Sequence, residues 1–333
     1  MANVAINGFG RIGRATFKIL LDTPELELVA INDLVPTDNL AYLLQYDTVY
    51  GRYEKPVKAK DGALAVGGKE YRVLHEKDPA TLPWAELEVD VAFECTGRFT
   101  NMEDLEKHLQ AGAKNAILSA ASKSSELVHI VYGVNTSDSD SEQMVSCASC
   151  TTNCITPVVE VMGRRIGVTK AIMTTVHAYT SSQSIVDGPS KKFRRGRAGA
   201  ANLVPTTTGA AVATSRALPE FKDKFDGVAV RAPVPVGSIS DIVFVTRRET
   251  SAEEVKDIFR DESQTDRYRG ILGVSEDPIV SSDIIRDPRA SIVDLEMTKV
   301  VDDDLVKVMA WYDNEWGYAS QMVRQALYMV HRS

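Results

Sequence analysis

The sequence predicts an α/β protein in two parts: a doubly wound parallel sheet, then a mostly antiparallel sheet with helices on one face. Three observations carry this. The chain opens on a strand–turn–helix–strand unit with glycines at fixed spacing. Apolar strands and helical stretches then alternate through the first half. From residue 169 long alternating β segments replace that rhythm. A chain of 333 residues exceeds one ordinary core and suits two domains.

"VAING" (4–8) is a short apolar strand, and "FGRIGRATFKILLD" follows with Ile12, Ala15, Ile19 and Leu20 at helical spacing. "LELVAIND" (26–33) is a second apolar strand that ends in an acid. Gly8, Gly10 and Gly13 spell G-x-G-x-x-G at the first turn, the signature of a dinucleotide-binding Rossmann unit. One glycine permits the tight turn, one lets a pyrophosphate approach the backbone, and one lets helix and strand pack closely. The phosphates would sit at the helix N-terminus, where free N–H groups and the positive dipole end favour anions. Asp33, twenty residues after Gly13, can accept hydrogen bonds from a ribose diol and would repel a 2′-phosphate, which points to NAD rather than NADP. Further strands are expected at 89–97, 115–120 and 129–135, with a helix ending at Gly112 between the first two. Ligands bind at the carboxyl ends of such strands, where Thr96, Gly97 and Ser119 lie.

The second half has β-rich segments in "TKAIMTTVHAYT", "DGVAVRAPVPVG", "SISDIVFVTRRE", "ASIVDLEMTKVV" and "DLVKVMAWYDN", joined partly by helices at 208–221 and 251–259. The tail puts Ala319, Met322, Val323, Ala326, Leu327 and Val330 on one helical stripe that must be buried. The longest irregular stretch, 181–205, carries Lys191, Lys192, Arg194, Arg195 and Arg197. It reads as a solvated loop, an anion site or a subunit contact.

With 44% hydrophobic and 25% charged residues and a net charge of −8, the chain reads as a soluble globular protein, and nucleic acid is not expected as a primary partner. No apolar run approaches a membrane span, and the N-terminus lacks the pattern of a secretory signal, so no membrane partner is expected. Four cysteines, three of them clustered, are not a disulfide framework, and the cytoplasm is the expected compartment.

Three thiols fall within "SCASCTTNC" (146–154). A zinc site wants four ligands, usually in spaced pairs, and no second Cys/His cluster follows. A redox pair of Cys147 and Cys150 is a second reading. A single nucleophile fits better, because Ser149-Cys150-Thr151 reads as a loop-to-helix junction, where the dipole and backbone N–H groups stabilise a thiolate. Pro157 requires that helix to start late or kink. Cys147 and Cys154 read as packing residues. Among the five histidines, His108 and His331 look like surface groups, and His177, at the end of a β segment in the same half as Cys150, is the candidate base.

Together, and in order from residue 3 to about residue 330, "INGFGRIGR", "ECTGRF", "SCASCTTNC", "TTVHAYT", "TTTGAA" and "WYDNEWGY" resemble the phosphorylating glyceraldehyde-3-phosphate dehydrogenases. The resemblance implies an N-terminal Rossmann NAD-binding domain (1–149), an α+β catalytic domain (150–314), and a C-terminal helix (315–333) packing back on the first domain, in a homotetramer. It implies Cys150 as nucleophile and His177 as base, with glyceraldehyde 3-phosphate and inorganic phosphate as substrates. Arg11, Ile12, Asp33, Lys77 and Ser119 match cofactor positions, and Asn314 matches the residue that orients the nicotinamide carboxamide. Ser149, Thr151, Thr180, Thr208, Gly209, Arg231 and Arg197 match two phosphate sites, and the basic 191–197 segment matches a loop that contacts a neighbouring subunit. Cys95 stands where such proteins usually have Ser, and "SAASKSSEL" replaces a Pro-containing segment; both lie near the cofactor positions. Leu34 offers no hydroxyl to a 2′-phosphate, and Pro189 resembles NAD-specific members. Erythrose-4-phosphate dehydrogenase is the alternative, disfavoured by Asp33, Thr180 and "VDGPS". An aldehyde dehydrogenase releasing free acid, and a non-enzymatic binding role, rank below it.

Overall fold

The computed structural model describes residues 1–332. The chain forms two compact units, one of residues Met1–Tyr132, Thr136–Ala148 and the chain from Met322 onward, the other of Gly133–Asn135 and Ser149–Gln321.

The first unit contains β1 (Ala2–Asn7), α1 (Arg11–Leu20), β2 (Leu26–Asn32), α2 (Thr37–Gln45), β3 (Tyr46–Asp47), β4 (Gly51–Arg52), β5 (Val57–Lys60), β6 (Ala63–Val66), β7 (Lys69–Leu74), β8 (Val91–Glu94), α3 (Met102–Gln110), β9 (Asn115–Leu118) and β10 (Met144–Ser146). Eight strands make one sheet in the order β10-β9-β8-β1-β2-β7-β6-β5. From β10 to β7 neighbours run parallel, and β6 and β5 are added antiparallel. The central parallel strands β1 and β8 are buried on both faces, and Val4, Ala5, Ile6, Val91, Ala92 and Phe93 are fully enclosed. The chain leaves β1 for β2 on one side and returns to β8 on the other. The carboxyl ends of β1 and β8 are therefore the switch point where a doubly wound sheet opens a crevice.

One expectation fails here. Residues 129–135 do not form a strand: His129 makes a single parallel bridge to Ser146. The β5–β6–β7 meander was not foreseen from the sequence, although Asp61-Gly62 and Gly67-Gly68 mark its two turns, with Gly62 and Gly67 at φ +64° and +59°.

The second unit contains α4 (Cys150–Arg165), β11 (Val168–Ala178), β12 (Val204–Thr207), α5 (Ala210–Ala217), β13 (Phe225–Ala232), β14 (Ser238–Thr246), α6 (Ala252–Gln264), β15 (Leu272–Ser275), β16 (Ser291–Val301) and β17 (Leu305–Tyr312). Its sheet runs β12-β13-β11-β14-β17-β16-β15. The β11–β13 and β15–β16 pairs are parallel and the other four antiparallel. Burial alternates strictly along β14, as for a sheet with one covered face. Helices α4, α5 and α6 pack on the sheet. A last helix, α7 (Trp316–His331), begins in this unit. Its later turns belong to the first unit, where Gln325 Nε2 donates to Ser139 Oγ at 2.9 Å and Met322 and Ala326 are fully buried. Among the described residues no helix is long and apolar enough to cross a membrane.

Candidate active site

In the first unit, a cavity of about 660 Å³ opens at the switch point, lined by Asn7, Gly8, Gly10, Asp33, Lys77 and Thr96 among others. Gly8 has φ +96°, and a Cβ there would lie 2.5 Å from the Thr96 backbone N. A Cβ on Gly13 would lie 2.0 Å from the Gly8 carbonyl oxygen, so α1 can reach β1 only with glycine there. Asp33 follows β2 and accepts from two main-chain donors, Phe9 N at 2.7 Å and Val35 N at 2.9 Å. The carboxylate thereby holds the glycine turn as well as facing the cavity. Arg11 and Ile12 open α1, but the Arg11 side chain is bound to Asp47 at 2.5 Å and lies over the Tyr50 ring, so its backbone is what an anion at this helix terminus would meet. Thr96 and Gly97 follow β8, Gly97 at φ +68°, and Ser119 follows β9 with its N–H on the Glu94 carbonyl oxygen. An open glycine turn, a helix start and a carboxylate at the second strand end are the parts that a dinucleotide needs.

In the second unit, Ser149 caps α4, its Oγ accepting from Thr152 N at 3.1 Å. The helix starts at Cys150 and runs through Pro157, so of the two expected accommodations, a late start or a kink, the late start does not occur. Cys150 occupies the first helical position and is half-buried. Its Sγ lies 3.3 Å from Nε2 of His177, near the end of β11. Parallel pairing sets His177 beside Arg231 of β13, and the Arg231 Nη1 is 2.6 Å from His177 Nδ1 while donating to the Ala178 carbonyl oxygen at 2.7 Å. Tyr312, from β17, meets the imidazole edge-on at 5.9 Å between ring centroids, and its hydroxyl bonds Thr151 Oγ1 at 2.9 Å and Thr175 Oγ1 at 2.8 Å. Three strands and a helix terminus therefore fix one sulfur against one ring nitrogen.

Burial pushes the Cys150 thiol up, against the lowering effects of the Arg231 charge and of hydrogen bonding at Thr151. Burial, then the Arg231 charge, pushes His177 down to about 3. Neither group charges readily alone. Transfer of the Sγ proton to Nε2 would charge both at once with no change in net charge, each new charge stabilising the other. Cys147 and Cys154 are buried, and burial raises each thiol to about 12. Burial, then the Glu94 charge, also raises Cys95. No disulfide forms among the described residues.

The remaining residues separate into two groups. Asn314 is buried, and its Oδ1 accepts from Gly237 N at 3.2 Å and Ser238 Oγ at 3.0 Å, which fixes the direction of its amide. Thr208 Oγ1 accepts from Ala210 N at 3.1 Å and Gly209 caps α5, while Thr180 Oγ1 bonds Ser182 Oγ at 2.8 Å. Arg197, by contrast, is exposed and paired with Asp187 at 2.6 Å. Arg195 is the arginine of this loop whose charge reaches His177 and Arg231. It is braced by Thr206 Oγ1 at 3.0 Å. Sequence reasoning placed it only in a general basic patch, because the path of an irregular loop leaves no periodic signal. Tyr312 was missed although it lies within "WYDNEWGY". His108 is a plain correction: it is fully buried, not a surface group.

Comparison with known proteins completes the assignment. The family model "Glyceraldehyde 3-phosphate dehydrogenase, NAD binding domain" matches residues 2–102, and "Glyceraldehyde 3-phosphate dehydrogenase, C-terminal domain" matches residues 149–314. NAD is accordingly the cofactor of the first unit. Glyceraldehyde-3-phosphate dehydrogenase of Streptomyces coelicolor is 47% identical over 96% of both chains. That of Clostridium pasteurianum is 45% identical over 99% of both, and that of Geobacillus stearothermophilus 45% identical over 99% of this chain and 98% of its own. Nearly the whole chain is thus matched, and the protein belongs to the glyceraldehyde-3-phosphate dehydrogenase family.

Proposed function

We propose that the protein oxidises D-glyceraldehyde 3-phosphate to 1,3-bisphosphoglycerate, consuming inorganic phosphate and passing through a Cys150 thioester. The observation that carries this reading is the 3.3 Å contact between Cys150 Sγ and His177 Nε2 at a capped helix start. The sulfur attacks the substrate carbonyl carbon, and the proton it gave to His177 passes to the new oxyanion, giving a hemithioacetal. His177 Nε2 then takes that hydroxyl proton back as the carbon's C–H bond breaks with its electron pair leaving as hydride and the C–O bond becomes C=O, turning the hemithioacetal into a thioester. Bound NAD⁺ supplies the hydride acceptor for this oxidation. Inorganic phosphate attacks the thioester carbonyl, the acyl–sulfur bond breaks, and Cys150 leaves as thiolate.

Two anions must be held, one on the substrate and one attacking. Arg231 suits this task, because its Nε–H is buried with no partner among the described residues. Arg195 replaces Arg197 as the second cation, with Ser149, Thr151, Thr180, Thr208 and Gly209 supplying hydroxyls and backbone N–H groups. In this reading residues 1–149 bind NAD, with Asn314 orienting the nicotinamide amide, residues 150–314 carry the chemistry, and the protein works in the cytoplasm in glycolysis or gluconeogenesis as a homotetramer. Self-association is supported by apolar side chains on β11 and β13, Ile172 62% and Val228 53% exposed, and by Phe193 89% exposed in the basic loop. NADH formation from the aldehyde should require inorganic phosphate or arsenate, and turnover that ignores both would overturn the phosphorylating reading. The ratio of kcat/KM for glyceraldehyde 3-phosphate to that for erythrose 4-phosphate separates the two sugar phosphates; a ratio below one would favour the alternative.

Cofactor choice gives a second test. Asp33→Gly removes the ribose acceptor together with the anchors for Phe9 N and Val35 N. NAD⁺ use should fall about 10-fold or more, the scale of losing a charged hydrogen-bonding partner. NADP⁺ use should rise only partly, because the loosened turn gains no partner for the extra phosphate. Comparing kcat/KM with each cofactor at one phosphate concentration checks this, and equal values for the unmodified protein would remove Asp33 as the discriminator.

A further inference from the structure

Beneath the first-unit cavity, three neighbouring strands end in buried polar side chains. Asn32, Asn7 and Glu94 stand in register across β2, β1 and β8, and all three are nearly or fully enclosed. Asn32 Nδ2 donates to Asn7 Oδ1 at 2.7 Å, and Asn7 Nδ2 donates to Glu94 Oε2 at 2.6 Å. His108 Nε2 lies 3.1 Å from the same oxygen, and Trp84 Nε1 donates to His108 Nδ1 at 3.0 Å. The other carboxylate oxygen accepts from Thr96 N at 2.8 Å and from Thr96 Oγ1.

The direction of every bond in this chain is fixed. An indole N–H only donates, so His108 accepts at Nδ1 and carries its hydrogen on Nε2 towards Glu94. At the opposite end Asn32 is locked by the Glu76 backbone, its Oδ1 accepting from Glu76 N at 2.8 Å and its Nδ2 donating to Glu76 O at 2.9 Å. Neither Asn32 nor, through it, Asn7 can flip without losing a partner. Asn7, His108 and Thr96 all donate to Glu94, and three residues of the network, Asn7, Asn32 and Thr96, line the cavity.

We infer that Glu94 is a positioning residue for the cofactor: it is the common acceptor of a buried hydrogen-bond chain from Trp84 to Glu76 that sets the floor of the NAD groove. The inference rests on NAD occupying this cavity. A carboxylate is required because an isosteric amide must turn its NH₂ towards donors that cannot reverse.

The test uses the full chain, with NAD⁺ titrated calorimetrically and steady-state kinetics run alongside. Glu94→Gln should raise the NAD⁺ dissociation constant and KM about 10-fold, the scale of one buried donor left unpaired. Its kcat at saturating NAD⁺ should stay within about twofold, because no group on the thiol is touched. Trp84→Phe frees one end while keeping Glu94, and should weaken NAD⁺ about threefold, as expected for loss of a single neutral hydrogen bond. It also keeps the test open if Glu94→Gln does not fold. An unchanged dissociation constant in either folded variant, even with a lower melting temperature, would reduce the chain to a structural role and overturn the inference. A loss in kcat with KM unchanged would overturn it too. If the unmodified protein failed to bind NAD⁺, the reading of the cavity itself would fall, a result distinct from a variant that binds as well as the parent.

Discussion

Cys150→Ser should lose dehydrogenase activity by roughly 10⁴-fold or more, the scale on which deleting a covalent nucleophile is felt. A serine hydroxyl in the same place holds its proton far more tightly than a thiol, so transfer to His177 no longer yields a competent nucleophile. The neighbouring thiols cannot substitute. Cys154 faces Ser291 Oγ and the Ala310 carbonyl oxygen, each at 3.7 Å, inside the unit. Cys147 is 3% exposed, and burial keeps both protonated at neutral pH. Cys147→Ser and Cys154→Ser should therefore keep most activity. Iodoacetate followed by peptide mapping should find Cys150 first, since it alone combines access with a base and the Arg231 charge. An active Cys150→Ser, or prior labelling at Cys147, would move the nucleophile elsewhere.

Local signals account for what the sequence made legible. The glycine spacing, the apolar runs of β1 and β2, and the acid after β2 each follow from sterics or chemistry within about thirty residues. Cys150 was legible because Ser149 caps a helix, a relation three residues long. His108 was not: charged neighbours suggested solvent, yet Leu105 three residues earlier is fully buried on the same helical face, and both turn inward. The choice between Arg195 and Arg197 also could not be read, because it depends on how an irregular loop meets Thr206, on a strand that pairs with β13. The contact of Arg231 with His177 depends on parallel register between strands more than fifty residues apart. Such pairings leave little trace in a single sequence beyond the family resemblance.

His177→Asn is expected to slow the hydride step roughly 10²–10⁴-fold, the range for loss of a general base. Asparagine keeps a polar side chain on β11 but cannot take the hydroxyl proton during thioester formation. The variant should also shift Cys150 alkylation to higher pH. Burial already raises this thiol, and in the parent protein its proton can pass to Nε2, 3.3 Å from Sγ, creating a cation beside the thiolate. With no acceptor, ionisation must release the proton to solvent and leave an unpaired buried anion, helped only by Arg231 and the hydrogen bonds at Thr151. The direction is thus fixed: at a given pH below the midpoint, His177→Asn reacts more slowly with iodoacetamide, and the difference closes as pH rises. Iodoacetamide is the suitable reagent, because its neutral charge does not report on the arginines. Coincident pH profiles for parent and variant would dissolve the pair and leave Arg231 and the helix start as the means of activating Cys150. A shifted profile with an unchanged hydride rate would instead keep the pair but place the proton acceptor of the redox step on another group.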